Sequence, residues 1–172
     1  MKNALVVGAV TAVLLTPGAA ATADPRPDYA PPVVNNVNPV VVADESGAQS
    51  AVVRASYTCY GGSPTHLYIG VKQGPDVNAT DHTSSDYADS FFSTNWNSDG
   101  PGLSLNCDGR RHTQGFLLKP DPYFPYHHPN PAPLHAGSVL VQFCMFDSTN
   151  TGEGDESGFA FDYTMKKLVL GD

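Results

Sequence analysis

Six or seven short apolar runs cut by turn residues, no stretch of helical period, and two cysteines at the ends of alternating runs predict an all-β domain. Specifically, they predict a two-sheet antiparallel sandwich of immunoglobulin-like form that contains a disulfide, with a small open barrel as the alternative. With 16 glycines and 15 prolines in 172 residues the chain is rich in turns, yet it keeps enough Val, Leu, Phe and Tyr to build a core.

The amino terminus reads as an address. Met1-Lys2-Asn3 precedes an uncharged run from Ala4 to Leu15, a break at Thr16-Pro17-Gly18, and the small-residue string Ala19 to Ala23. A basic start, a short apolar stretch and an Ala-x-Ala site predict a signal peptide over residues 1–23, too short to remain as a membrane anchor. Cleavage after Ala23 would leave 149 residues, enough for one domain, in a secreted or extracellular location. Residues 24–46 are a proline-rich leader, DPRPDYAPP at its start, together with a first strand; residues 47–172 form the domain proper.

Acidic residues outnumber basic ones 17 to 9, a formal charge of -8. Such a surface repels phosphate backbones and anionic lipid, which argues against nucleic acid and against membrane insertion.

The elements follow in order. Val40 to Val42 is the first strand, stopped by Asp44-Glu45-Ser46-Gly47. From Ala51 to Tyr60, Val53, Ala55, Tyr57 and Cys59 alternate with Arg54, Ser56 and Thr58, so one face is buried and Cys59 lies on it. Gly61-Gly62-Ser63-Pro64 turns the chain into His66 to Gln73, with Leu67, Ile69 and Val71 opposite His66, Tyr68, Gly70 and Lys72. Residues 76–100 read as a long polar loop with an edge strand near Asp89 to Ser93 and Trp96 over the rim of the core.

Leu103, Leu105 and Cys107 alternate with Ser104 and Asn106; Asp108-Gly109 then suggests a hairpin into His112 to Leu118, because glycine takes the positive φ that tight turns need. Lys119 to His135 carries six prolines and cannot form a regular ladder strand. Ser138 to Phe146 is strongly apolar and suits a central strand; the acidic loop 147–158 leads to a last strand, Phe159 to Leu170.

Asn106 to His112 places a thiol, a carboxylate and an imidazole close together, but export to an oxidising compartment favours pairing of Cys107 over catalysis. Three cysteines allow three single bridges: Cys59 with Cys107 ranks first, Cys59 with Cys144 second, Cys107 with Cys144 third. No Gly-x-Ser-x-Gly, phosphate loop, Cys-x-x-Cys or carboxylate dyad appears, so no catalytic residue and no cofactor is assigned.

Tyr57-Thr58-Cys59, Gly61-Gly62, His66 to Gln73, Asn106-Cys107-Asp108-Gly109, and Gly137 followed by Val141 to Asp147 resemble small secreted actinobacterial β-sandwich domains of unknown function. The resemblance covers most of residues 50–165. It implies a secreted bacterial protein with cysteines at two strand ends, in line with the first-ranked bridge, and no catalytic residues. The proline-rich segment 119–135 departs from the pattern.

Two loops remain as candidate sites. Tyr123, Phe124, Tyr126, His127 and His128 lie among prolines that hold rings out at little entropic cost, a candidate binding loop. His127, His128 and His135 are weak metal-ligand candidates, as are Asp147 and Asp155, where the acidic loop imitates the start of a calcium loop but has Gly158 in place of the closing Glu. The function expected is non-enzymatic recognition of an extracellular protein or carbohydrate by a monomer, with a protease inhibitor or a metal-dependent enzyme as alternatives.

Overall fold

The computed structural model describes residues 32–60, 65–80, 88–94, 105–121, 132–147 and 159–172. They form eight strands: β1 Val33–Val37, β2 Val40–Ala43, β3 Ala51–Thr58, β4 Thr65–Gln73, β5 Ser90–Ser93, β6 Arg111–Pro120, β7 Gly137–Asp147 and β8 Phe159–Leu170.

These strands belong to one sheet that closes on itself. Hydrogen bonding runs β3–β2–β8–β7–β4–β5–β6 and returns to β3, with β1 added along β3. The two-sheet immunoglobulin-like sandwich is therefore incorrect; the chain is a closed β-barrel. Alternation of apolar and polar residues is common to both architectures, so it could not decide between them. What decides is pairing at two short seams. At one, Val42 and Ala43 face Val52 and Ala51; at the other, Phe92 and Ser93 face Pro120 and Lys119. The alternative barrel expectation had the wall but left it open.

All neighbours are antiparallel except β2 and β8, which run parallel from Val40↔Lys167 to Ala43↔Leu170. The break at Asn38-Pro39 makes this possible. β1 keeps to β3 with a register shift between Val34 and Asn36, and β2 then crosses to bridge β3 and β8. Pro39 has no N–H to give, but its carbonyl accepts from Lys167 N at 2.9–3.0 Å typical of such bonds, here 3.0 Å.

Two further expectations change. β1 precedes the run Val40 to Val42 read as the first strand, since Val33-Val34-Asn35-Asn36-Val37 carries little alternation of its own and is held by β3. The hairpin about Asp108-Gly109 does not form among the described residues: 105–110 are turn and coil, and β6 pairs with β3 and β5 instead.

Inside the ring lies one apolar cluster of described residues. Val37, Val41, Val53, Tyr57, Leu67, Ile69, Val71, Phe116, Val139, Val141, Phe143 and Leu168 are all buried in one cluster. Phe116 meets Phe143 edge-on across the interior, ring centroids 5.7 Å apart, the geometry that aromatic quadrupoles prefer. Leu134, from the end of the proline-rich segment, plugs one end of the same cluster. Among the described residues no helix is long and apolar enough to cross a membrane.

Candidate functional site

Strand β4 has no face left in water. Leu67, Ile69 and Val71 point into the barrel, yet on the outer side Tyr68 is only 7% exposed and Lys72 only 3%. The cover comes from neighbours in register and from the segment after β4. Lys72 lies beside Phe91 of β5, its Nζ 5.0 Å from the ring centroid, and β7 sets Gln142 beside Gly70 and Cys144 beside Tyr68. Val77, Ala88 and Leu140 form a small second apolar cluster against this outer wall, with Ala79, Phe91 and Tyr163 packed on it. Gly70 makes room: a Cβ there would come within 3.0 Å of the Phe91 ring and 3.3 Å of the Tyr68 hydroxyl.

The polar groups of this wall form a connected set. Lys72 Nζ donates to Gln142 Oε1 at 3.1 Å, and Gln142 Nε2 donates to Tyr163 Oη at 3.3 Å and to Cys144 Sγ at 3.5 Å. Ser93 Oγ donates to Asp121 Oδ2 at 2.7 Å. Burial pushes the Tyr68 phenol far above its usual range, with the negative charge of Asp121 adding to the effect. Burial likewise raises the Cys144 thiol, a shift opposed by hydrogen bonds from Gln142 and Tyr163 and by the charge of Lys72. Tyr163 is raised by burial first and by Cys144 second. A reactive thiol requires the opposite displacement, so Cys144 is built as a packed, protonated group.

The segment from Asn106 to His112 resolves into a stapled turn. Cys59 and Cys107 are disulfide-bonded, with Cα atoms 4.5 Å apart. Gly109, at φ +81°, donates its N–H to Cys59 O at 2.9 Å, and Asn106 N donates to Tyr57 Oη at 3.1 Å. His112 Nε2 lies 2.7 Å from Asp108 Oδ1, and the Asp108 carboxyl is held below its usual range by that contact and by the Arg110 N–H. Cys144 is the free cysteine, and buried.

Of the candidate loop residues, Tyr123, Phe124, Tyr126, His127, His128 and Asp155 lie outside the described residues. His135 is exposed, its backbone pinned by the buried Gln73: His135 N donates to Gln73 Oε1 at 2.9 Å, and Gln73 Nε2 donates to His135 O at 2.8 Å. Asp147 ends β7 opposite Thr65. Among the described residues no group of three or more His, Cys, Asp or Glu stands close enough together to hold a metal ion.

Sequence reasoning set His66, Tyr68, Gly70 and Lys72 on the face opposite Leu67, Ile69 and Val71 and named nothing that would cover it. One signal was available. In the run Leu140 to Met145 Gln142 is the one polar residue, an apolar content that a strand with one wet side does not need.

Comparison of the chain with protein-family models and with curated proteins finds no match. The resemblance to secreted actinobacterial sandwich domains is overturned by the closed ring and by that result, and the recognition function that rested on immunoglobulin-like loops goes with it.

Proposed function

We propose that this chain is an exported β-barrel that acts by holding a partner against its outer wall, without catalysis. The observation that carries the reading is the packed interior: among the described residues, buried side chains from every strand of the ring join one apolar cluster. Such packing supports binding on the outside. The groups best suited to chemistry support the same reading, since Cys144 and Tyr68 are sealed and held protonated while Cys59 and Cys107 are consumed in a bridge. A surface cleft among the described residues, at Gly137, Ser138, Met165, Lys166 and Lys167, about 250 Å³, is wide open to solvent and lacks the enclosure of a small-molecule site. Export is supported by the pattern of Met1 to Ala23 and by the disulfide.

The test is an amide chemical-shift map of the full chain titrated with the extracellular extract of the cell that makes it. The reading expects shifts at outward positions of the strands. Shifts concentrated at inward positions would overturn it, as would turnover of any substrate in that extract that disappears on Lys72→Met substitution.

A further inference from the structure

The wall opposite the buried polar set has an unusual composition for so acidic a chain. Strands β1, β2, β3 and β6 contain no Asp or Glu, although the chain carries 17 acidic residues. Their outward positions carry Arg54, Arg111 and Lys119, all exposed, and Lys167 joins them from β8 in register with Val40. Among the described residues none of these four forms an ion pair; the salt bridge found there joins His112 to Asp108. The acids nearest in sequence to these strands, Asp44, Glu45, Asp108 and Asp121, sit beyond the strand ends, and Asp121 is buried against Ser93.

Between these cations runs an apolar stripe. Val42 faces Val52, and Val52 faces Leu117, so three exposed side chains line up across three adjacent strands, 40%, 40% and 54% exposed. At a strand spacing of about 4.8 Å the stripe is about 10 Å long, one extended segment's width of contact. Val40 extends it along β2. A contiguous exposed apolar row edged by unpaired cations marks an interaction face.

We propose that the β2–β3–β6 wall docks an acidic polypeptide, whose aliphatic side chains cover Val42, Val52 and Leu117 and whose carboxylates meet Arg54, Arg111 and Lys119. This rests on the outer-wall reading above and gives it a face and a partner chemistry. Charge complementarity selects an acidic partner. The apolar row selects a polypeptide over an acidic glycan, which has no aliphatic side chains to lay there. A lipid surface fits less well, because the row of Val42, Val52 and Leu117 has no aromatic side chain and belongs to a chain of net charge -8.

The probe is a synthetic fluorescent peptide alternating glutamate and valine, titrated by anisotropy into the full chain. Peptides alternating lysine with valine and glutamate with serine serve as controls, and vesicles of phosphatidylcholine and phosphatidylglycerol as the lipid arm. Saturable binding of the Glu-Val peptide is expected, weaker by about tenfold in the Arg54→Glu/Lys119→Glu variant and at high salt, with neither control peptide matching it. Val52→Thr/Leu117→Thr, which puts a β-branched residue suited to a strand at both positions, is expected to weaken binding similarly; unchanged circular dichroism and a still-buried Cys144 thiol certify that each variant is folded. Absence of binding, binding indifferent to both variants, or vesicles captured in preference to the peptide would each overturn the proposal. If the peptide shifts amides elsewhere on the outer wall, this face fails and the outer-wall reading stands; shifts at inward positions defeat both.

Discussion

Leu134 donates its backbone N–H to the carbonyl of Gly47 at 2.7 Å, which brings the end of the proline-rich segment onto the turn between β2 and β3. Gly47 has φ +66°, and a Cβ built on it would fall 1.8 Å from the Leu134 carbonyl oxygen. Gly47→Ala must therefore strain the turn and lift Leu134 out of the core. A loss on the order of 3 kcal/mol in urea unfolding is expected. Gly115→Ala is the control: its Cβ would meet only Val52 Cγ1, at 3.6 Å, on the open outer face. There a gain of about 0.5 kcal/mol is expected, because glycine weakens a strand interior.

Removing the bridge by Cys59→Ala/Cys107→Ala frees a loop of 48 residues in the unfolded chain. By the chain-entropy estimate the cost is about 4 kcal/mol. Denaturant midpoints compared at equal slope measure it, and a change below about 1 kcal/mol would mean that the unfolded chain is restrained by something else.

Cys144 is buried and its thiol is raised, so native protein should show no fast-reacting thiol toward a disulfide reagent at pH 8. In guanidinium without reductant, a single equivalent should appear. Fast reaction in native buffer would show that the outer wall of β4, β7 and β8 opens readily.

Acid should loosen the turns first. Asp44 accepts from Ser46 N at 3.0 Å, Gln49 N at 2.9 Å and Ser50 N at 2.6 Å, and these bonds together with the Ser46 hydroxyl hold its carboxyl well below the carboxylate range. Asp108 is depressed by His112 and Arg110. A folded-state value below the unfolded one gives stability that is complete above the unfolded carboxylate range, about pH 4, and fades as pH falls toward the folded value. Urea midpoints measured from pH 6 to pH 2 should therefore decline below about pH 4. Asp44→Asn/Asp108→Asn should start lower and decline less; an identical acid limb in both proteins would refute the assignment.

Much of the wall was legible before any coordinates. The alternation of Val53, Ala55 and Tyr57, and of Leu67, Ile69 and Val71, marks inward faces that the barrel does bury. Closure was not legible, because it turns on Val42↔Val52 and Phe92↔Pro120, in ladders of two residue pairs between short strands whose alternation names no partner. Nor was the direction of β8. Its bulky set includes Phe161 and Met165, which sit on the outside and remain exposed, while Ala160 and Leu168 turn toward the core. Facing there is dictated by register with β7, where Phe161 lies opposite Cys144 and Asp162 opposite Phe143. The outer polar set was hidden for a related reason: Lys72 looks like a solvent residue until Phe91 and Gln142 are placed beside it.

The covalent link has an uneven reach. It ties the end of β3 to the entry of β6, two strands already laced together from Ala51↔Leu118 to Thr58↔Arg111. The short junctions of β2 with β3 and of β5 with β6 receive no such help. Hydrogen–deuterium exchange should accordingly start at these hinges, letting the cationic panel swing outward as one stiff plate while sulfur keeps its own two staves together.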